Sequence, residues 1–187
     1  MEHQTPTPIT GHTALICLLG SPCAHSISPM MHNASFEALG LDYRYLAFDV
    51  NEETLPTAVA GLKVLGARGF NLTMPDKNLM VSLCDELSTA ARIIGAVNTV
   101  VNEDGRLVGH NTDGIGYMQS VKDAGYDIIG KKMTLLGAGG AATAILVQAA
   151  LDGLKEISVF VRPTSRFYDR LVHTVEELTE ITDCRIR

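Results

Sequence analysis

The chain has no tryptophan, few aromatic residues of any kind, and no apolar run of membrane-spanning length. A helical membrane span is therefore not expected. Its four cysteines, Cys17, Cys23, Cys84 and Cys184, are scattered without a Cys-x-x-Cys spacing, which argues against a disulfide framework or a zinc knuckle and for reduced structural thiols. The six histidines form no metal-ligand pattern either, so no metal is expected. A net charge of -6 without a basic stripe argues against nucleic acid as a partner. There is no internal repeat and no low-complexity segment. Residues 1–13 are polar and proline-containing and lack the apolar core of a signal peptide. They read as a disordered tail of a cytoplasmic protein.

What is present is a series of short apolar runs that end in polar clusters. The run 68–73 leads into Met74-Pro75-Asp76-Lys77. It reads as a strand, with Pro75 suited to the first turn of a helix and Lys77 projecting from the junction. The run 14–19 opens into a turn-rich stretch with Ser26 and Ser28 one residue apart. Helix capping alone would account for Ser28, because Pro29 and Gly40 bracket a helix over 28–39. Ser26 has no such explanation. The segment 96–101 sets Asn98 and Thr99 inside an apolar strand, where a buried amide must find partners or bind something. Asn111-Thr112-Asp113-Gly114 places a carboxylate at the start of a helix running to Ala124, and capping would also account for Asp113. Together Ser26, Ser28, Asn71, Thr73, Lys77, Asn98 and Asp113 supply many hydrogen-bonding groups, one cation and one anion. That set suits a small, polyhydroxylated carboxylic acid.

A nucleotide loop stands independently of this cluster. Met133–Leu136 reads as a strand, Gly137-Ala138-Gly139-Gly140-Ala141-Ala142 fits G-x-G-x-x-A, and a helix follows to Leu151. A second strand, 156–161, completes a β-α-β unit, the context that gives the motif its meaning. Pyrophosphate then lies on the helix N-terminus. The second strand ends without the acid that holds ribose hydroxyls in NAD sites; Glu156 stands at its wrong end. Instead Arg162, Thr164, Ser165 and Arg166 follow, favouring a 2′-phosphate and hence NADP, with NAD the alternative.

His-Ser-x-Ser-Pro at 25–29, Asn-Leu-Thr-Met-Pro-Asp-Lys at 71–77, Ala-Val-Asn-Thr at 96–99 and Asn-Thr-Asp-Gly at 111–114 resemble the shikimate dehydrogenase family in order and spacing, closest to its quinate/shikimate branch. The resemblance implies that Lys77 and Asp113 are a catalytic pair. It implies too that Ser26 and Ser28 hold the substrate carboxylate and that Thr73, Asn98 and Asn71 hold ring hydroxyls. Gly137, Ala138, Gly139, Gly140, Ala141, Arg162, Thr164 and Arg166 would meet the cofactor. NADP-type relatives carry Asn-Arg-Thr here and dual-cofactor relatives an acid shortly after the arginine; Arg162 matches the shared arginine while Val161 and Thr164 depart from both patterns, so NADP is favoured with NAD the alternative. The implied activity is reversible reduction of 3-dehydroshikimate to shikimate in aromatic amino acid biosynthesis, by way of chorismate. Quinate is an alternative substrate and a homodimer an option. A folate one-carbon dehydrogenase of similar plan fits less well, since the serine pair and Asn-Thr-Asp would have no role.

The expected fold is α/β: an N-terminal α/β substrate domain over 14–111, then a Rossmann-like dinucleotide domain over 112–187. The second domain reads as truncated, because two β-α-β-α-β halves are usual and only about one is present. An exposed central strand edge is expected to follow, and a truncated chain that binds shikimate without turnover is the alternative to the active dehydrogenase. The acid run Asp85-Glu86 reads as a solvated helix start.

Overall fold

The computed structural model describes residues 8–187, so the expected tail lies partly outside the described residues. Two compact units form: Met1–Glu86 with Val97–Gly109, and Leu87–Ala96 with His110–Arg187.

The first unit is built on a mixed sheet. Strands β1 (Ala14–Gly20), β2 (Tyr43–Asp49), β3 (Gly69–Leu72), β4 (Glu86–Leu87), β5 (Thr99–Glu103) and β6 (Arg106–His110) take the order β2-β1-β3-β5-β6-β4. β1 runs parallel to β2 and β3, whereas β5 is antiparallel to β3. Two helices serve this sheet, α1 (Ser28–Ala38) and α2 (Leu55–Val64). The inward residues of α2, Leu55, Val59 and Leu62, recur at helical spacing and are buried. Burying each such side chain contributes about 1.5–3 kcal/mol. The outer edge of β2 is closed locally. The Asn33 side chain donates to the Tyr45 carbonyl and accepts from its N–H, both at 2.9 Å, and Arg44 donates to the Tyr43 carbonyl at 2.8 Å. These bonds occupy groups that an edge strand would otherwise offer to another chain.

The second unit contains α3 (Thr89–Ile94), α4 (Asp113–Asp123), β7 (Lys132–Leu136), α5 (Gly140–Leu151), β8 (Glu156–Phe160), α6 (Tyr168–Ile181) and β9 (Arg185–Ile186). Its sheet is parallel, in the order β7-β8-β9, and α5 makes the crossover of the expected β-α-β unit. The core joins Ala144, Leu146 and Val147 of α5 with Ile157 of β8, Leu178 of α6, Met118 of α4 and Ile94 of α3. Gly114 lets α4 approach α5 closely: a side chain there would run into the Ala144 carbonyl oxygen and the Gln148 side chain.

Several expectations need correction. Asp85 starts no helix; its carboxylate accepts the Leu107 N–H at 2.7 Å and pairs with Lys63 at 3.2 Å, and these bonds hold it below the usual carboxylate range. Glu86 lies in β4 and pairs with Arg106. Pro75 lies in a turn rather than a helical first turn, and a short 3-10 helix follows only at Leu79–Leu83. β5 begins at Thr99, so Asn98 sits at its entrance. The segment 87–96 clusters with the second unit. β8 is paired on both sides, and among the described residues β7 and β9 each have a neighbour on one side alone.

Candidate functional site

In the first unit, backbone bonds weld the serine loop to the lysine turn. Thr73 N–H donates to the Leu19 carbonyl at 2.9 Å, and Ser21 N–H donates to the Met74 carbonyl at 3.1 Å. The crossing is tight at Gly20, where a Cβ would collide with the Thr73 side chain. Across the turn, Val97 N–H donates to the Lys77 carbonyl at 2.8 Å, and Leu72 N–H to the Asn98 carbonyl at 2.9 Å. The ends of β1 and β3 and the entrance to β5 thereby gather Ser26, Ser28, Thr73, Lys77 and Asn98 in one unit, with Lys77 half-buried and Asn98 buried.

The capping roles differ from expectation. Ser28 is the first residue of α1, and its own N–H donates to the Ser26 hydroxyl at 3.2 Å, so Ser26 closes the turn. His25 is exposed. Asn71 is committed within the protein. Its Oδ1 accepts the Tyr45 hydroxyl at 2.8 Å, and its Nδ2 donates to the Thr99 hydroxyl at 3.0 Å and to the Asn98 carbonyl at 3.3 Å. Tyr45 and the ordering role of Thr99 have no signature in the sequence, since nothing local to 43–49 marks a tyrosine that reaches β3. Asp76, beside Lys77, is fully buried with no hydrogen-bond partner for either carboxylate oxygen. Burial first, and the Glu52 charge second, push its carboxyl above the usual range.

In the second unit, Asp113 begins α4, and a carboxylate in a first helical turn is favoured by the helix dipole. Just before it, Asn111 Oδ1 accepts the Asp113 N–H at 3.2 Å while its Nδ2 donates to the Ala96 carbonyl at 3.0 Å.

The glycine loop joins β7 to α5. Gly137 has φ +105°, a conformation other residues resist, and its N–H donates to the Phe160 carbonyl at 2.8 Å. Gly139 caps α5 without a side-chain bond, and no protein atom lies within 4 Å of where a Cβ would stand at Gly139 or Gly140. The face over the α5 N-terminus is therefore open to an anion. Beside it lies a cavity of about 400 Å³ lined by Gly137, Ala138, Gly139, Phe160, Val161, Arg162, Ser165 and Phe167. No acid lines it. Of the two arginines expected there only Arg162 contributes; the Arg166 guanidinium rests 4.7 Å from the centre of the Phe167 ring, and Thr164 is likewise outside the lining. Ser165, one of the two hydroxyls expected there, is in the lining, and Phe160 and Phe167 join it without having been expected. Open glycines, a helix N-terminus and one arginine fit a dinucleotide carrying phosphate.

A larger hollow of about 660 Å³, walled by Ile115, Met118, Tyr126 and Ile129 among others, contains none of the candidate site residues expected from sequence. Among the described residues no cluster of His, Cys, Asp and Glu is placed to hold a metal, and no helix is long and apolar enough to cross a membrane.

Residues 18–100 match the family model of the shikimate dehydrogenase substrate binding domain. A shikimate dehydrogenase (NADP(+)) of Listeria monocytogenes serotype 4b is 55% identical over 185 residues, 99% of this chain and 63% of that protein. A quinate/shikimate dehydrogenase of Escherichia coli O139:H28 is 47% identical over 176 residues, 94% of this chain and 61% of that protein. The chain thus spans somewhat under two thirds of the length of these relatives. Among solved structures, the Listeria monocytogenes shikimate 5-dehydrogenase in complex with shikimate and NAD superposes with a TM-score of 0.92 at 55% identity, covering 97% of this chain and 62% of that one. The 5-ketofructose reductase of Gluconobacter sp. strain CHM43 has a TM-score of 0.87 at 34% identity, with 95% and 62% covered. Four motifs in order, the matched domain and the shared fold place the chain in one group: it belongs to the shikimate dehydrogenase family.

Proposed function

We propose that this chain catalyses the reversible NADP(H)-dependent reduction of 3-dehydroshikimate to shikimate. The observation that carries the reading is the bonding of the Lys77 turn to the serine loop on one side and to the Asn98 entrance on the other. It holds a cation, two serines and an amide donor in a fixed arrangement within one unit. Ser26 and Ser28 receive the substrate carboxylate, and Thr73 and Asn98 the ring hydroxyls. Asn71 serves through its neighbours.

When bound, NADPH supplies the hydride that reduces the ring ketone. The Lys77 ammonium then stabilises the charge that develops on the carbonyl oxygen, more in the transition state than in the ground state. Asp113 is the second member of the catalytic pair, and the proton of the alcohol passes through one of the two. Gly137–Ala141 would hold the pyrophosphate and Arg162 the 2′-phosphate, with Thr164 and Arg166 flanking it. The reaction belongs to aromatic amino acid biosynthesis in the cytoplasm; the partners are small molecules, with no nucleic acid or membrane, and a homodimer is the assembly proposed.

A second reading, oxidation of quinate as well as shikimate with NAD, draws on the name of the Escherichia coli relative and on the NAD bound in the Listeria structure. Assays of nicotinamide reduction crossing shikimate and quinate with NADP and NAD separate the two. The fastest turnover is expected with shikimate and NADP; quinate with NAD matching it would favour the second reading. Silence in all four combinations would overturn both as statements about this chain, and a rise in Tm with shikimate would then leave ligand binding alone.

A further inference from the structure

We infer that Arg170 is a positioning residue for the substrate side of the proposed reaction, holding the end of α3 from which Ala96 anchors Asn111 and leads into Asn98. The inference rests on the reading of Asn98 and Asp113 as groups that meet the substrate. The chain leaves the first unit after Glu86, adds α3 to the second, and returns at Val97. Ala96 and Val97 alone stand between Gly95 and Asn98, so where α3 ends limits where Asn98 can lie.

Arg170 stands in the first turn of α6, where a cation opposes the helix dipole, so its own helix does not account for it. Its partner is on another helix: the guanidinium donates to the carbonyl of Ile94, the last residue of α3. A helix end leaves its final carbonyls without an intrahelical partner and carries partial negative charge, and a guanidinium answers both. The Ala91 and Arg92 carbonyls of that turn are met locally, by the Gly95 N–H at 2.8 and 3.2 Å. Gly95 has φ +59°, and the atoms nearest to where a Cβ would stand on it are those of the Arg170 guanidinium. Glycine thus supplies both the reversal of the chain and the room for the arginine.

Ala96 carries this anchorage onward. Its carbonyl accepts Asn111 Nδ2 at 3.0 Å, and Asn111 Oδ1 accepts the Asp113 N–H at 3.2 Å. Asn111 is 3% exposed, so a displaced Ala96 would leave a buried amide without its acceptor. Segments 96–98 and 111–113 therefore share one fixed point. A second tie between the two helices, Arg92 to Glu177 at 3.6 Å, joins side chains and not the terminal backbone, which makes it the control.

The test compares Arg170→Ala, Arg170→Lys and Glu177→Gln by titration with shikimate and with 2′,5′-ADP, by thermal melts, and by amide NMR of the ligand-free chain. Arg170→Ala is expected to weaken shikimate binding by roughly three- to tenfold, through misplacement rather than loss of a direct contact. It should leave 2′,5′-ADP affinity within about twofold of the parent and move the Asn111 side-chain and Asp113 backbone amide resonances. Arg170→Lys still offers a donor to the Ile94 carbonyl and should restore most of the shikimate affinity; Glu177→Gln should leave both ligands bound as in the parent. A merely structural arginine would lower Tm with shikimate affinity unchanged, or weaken both ligands alike, and either result overturns the inference. So does a lysine that restores nothing, or a Glu177→Gln variant as impaired for shikimate as Arg170→Ala. Should Arg170→Ala fail to fold, Gly95→Ala takes its place, since the methyl displaces the guanidinium; undiminished shikimate affinity there would overturn the inference. If the unmodified chain binds no shikimate, the proposed function fails, and Arg170 is judged by NMR alone: an Asn111 amide unmoved in the variant refutes the positioning role.

Discussion

The two units organise their polar groups by different means. In the first, side chains hold other side chains, Asn71 binding Tyr45 and Thr99 and Thr99 binding Asn98, while backbone bonds pin the serine loop to the Lys77 turn. In the second, the key surface is made by leaving side chains out, as Gly139 and Gly140 open the N-terminus of α5. A site of the first kind is vulnerable to the loss of single atoms. One of the second kind is vulnerable to their addition.

The largest effect is expected from Lys77→Ala. By removing a charge that acts chiefly in the transition state, it should lower kcat by roughly 10²–10⁴-fold with little change in shikimate affinity, as measured by steady-state kinetics beside direct titration. An unchanged kcat would take Lys77 out of the chemistry and leave the first unit as a binding device.

Gly139→Ala and Gly20→Ala make the sharpest contrast. At Gly139 the added methyl meets no protein atom, so nucleotide affinity should fall by roughly 100-fold while the lost helix-cap preference costs about 1 kcal/mol or less. At Gly20 the methyl strikes Thr73, which should cost about 1–3 kcal/mol, several degrees of Tm, and weaken shikimate binding while nucleotide binding is unaffected. Calorimetric titration and thermal melts check both variants. Equal loss of Tm in the two would erase the contrast.

The smallest effect concerns Asp76. Its folded-state carboxyl titrates above the unfolded value, because burial and Glu52 disfavour the charge. Stability is therefore lost as pH rises from the ordinary carboxylate range through the raised folded value, and Asp76→Asn removes that loss. Melts should show the variant gaining a few degrees at pH about 8 relative to the parent, and less at pH about 4, where the parent carboxyl is neutral in the fold. A gain independent of pH would mean that ionisation of Asp76 is not what limits stability.

Much of this architecture is legible in the amino-acid sequence. The β7-α5-β8 unit follows from a glycine motif set between an apolar strand and a helix, and the helix limits at Gly40 and Gly125 follow from residues that take positive φ, +65° and +86°. What the sequence hides is whatever is decided at long range. Asp85 has the local signature of a helix start, yet it is claimed by the Leu107 N–H of a strand distant in sequence. Asn71 sits among ligand-binding motifs, yet Tyr45 and Thr99 absorb its amide. Arg166 looks like a phosphate contact until the Phe167 ring takes its guanidinium. Motifs name the polar groups that cluster; which of them remain for a ligand depends on partners tens of residues away.

The most direct test is one NMR titration of isotopically labelled chain with shikimate and, separately, with 2′,5′-ADP. Shikimate should move the Asn98 side-chain amide and leave the Gly139 backbone amide in place, whereas 2′,5′-ADP should do the reverse. Failure of either ligand to bind, or a shikimate response confined to the glycine loop, would contradict the division of labour between the two units.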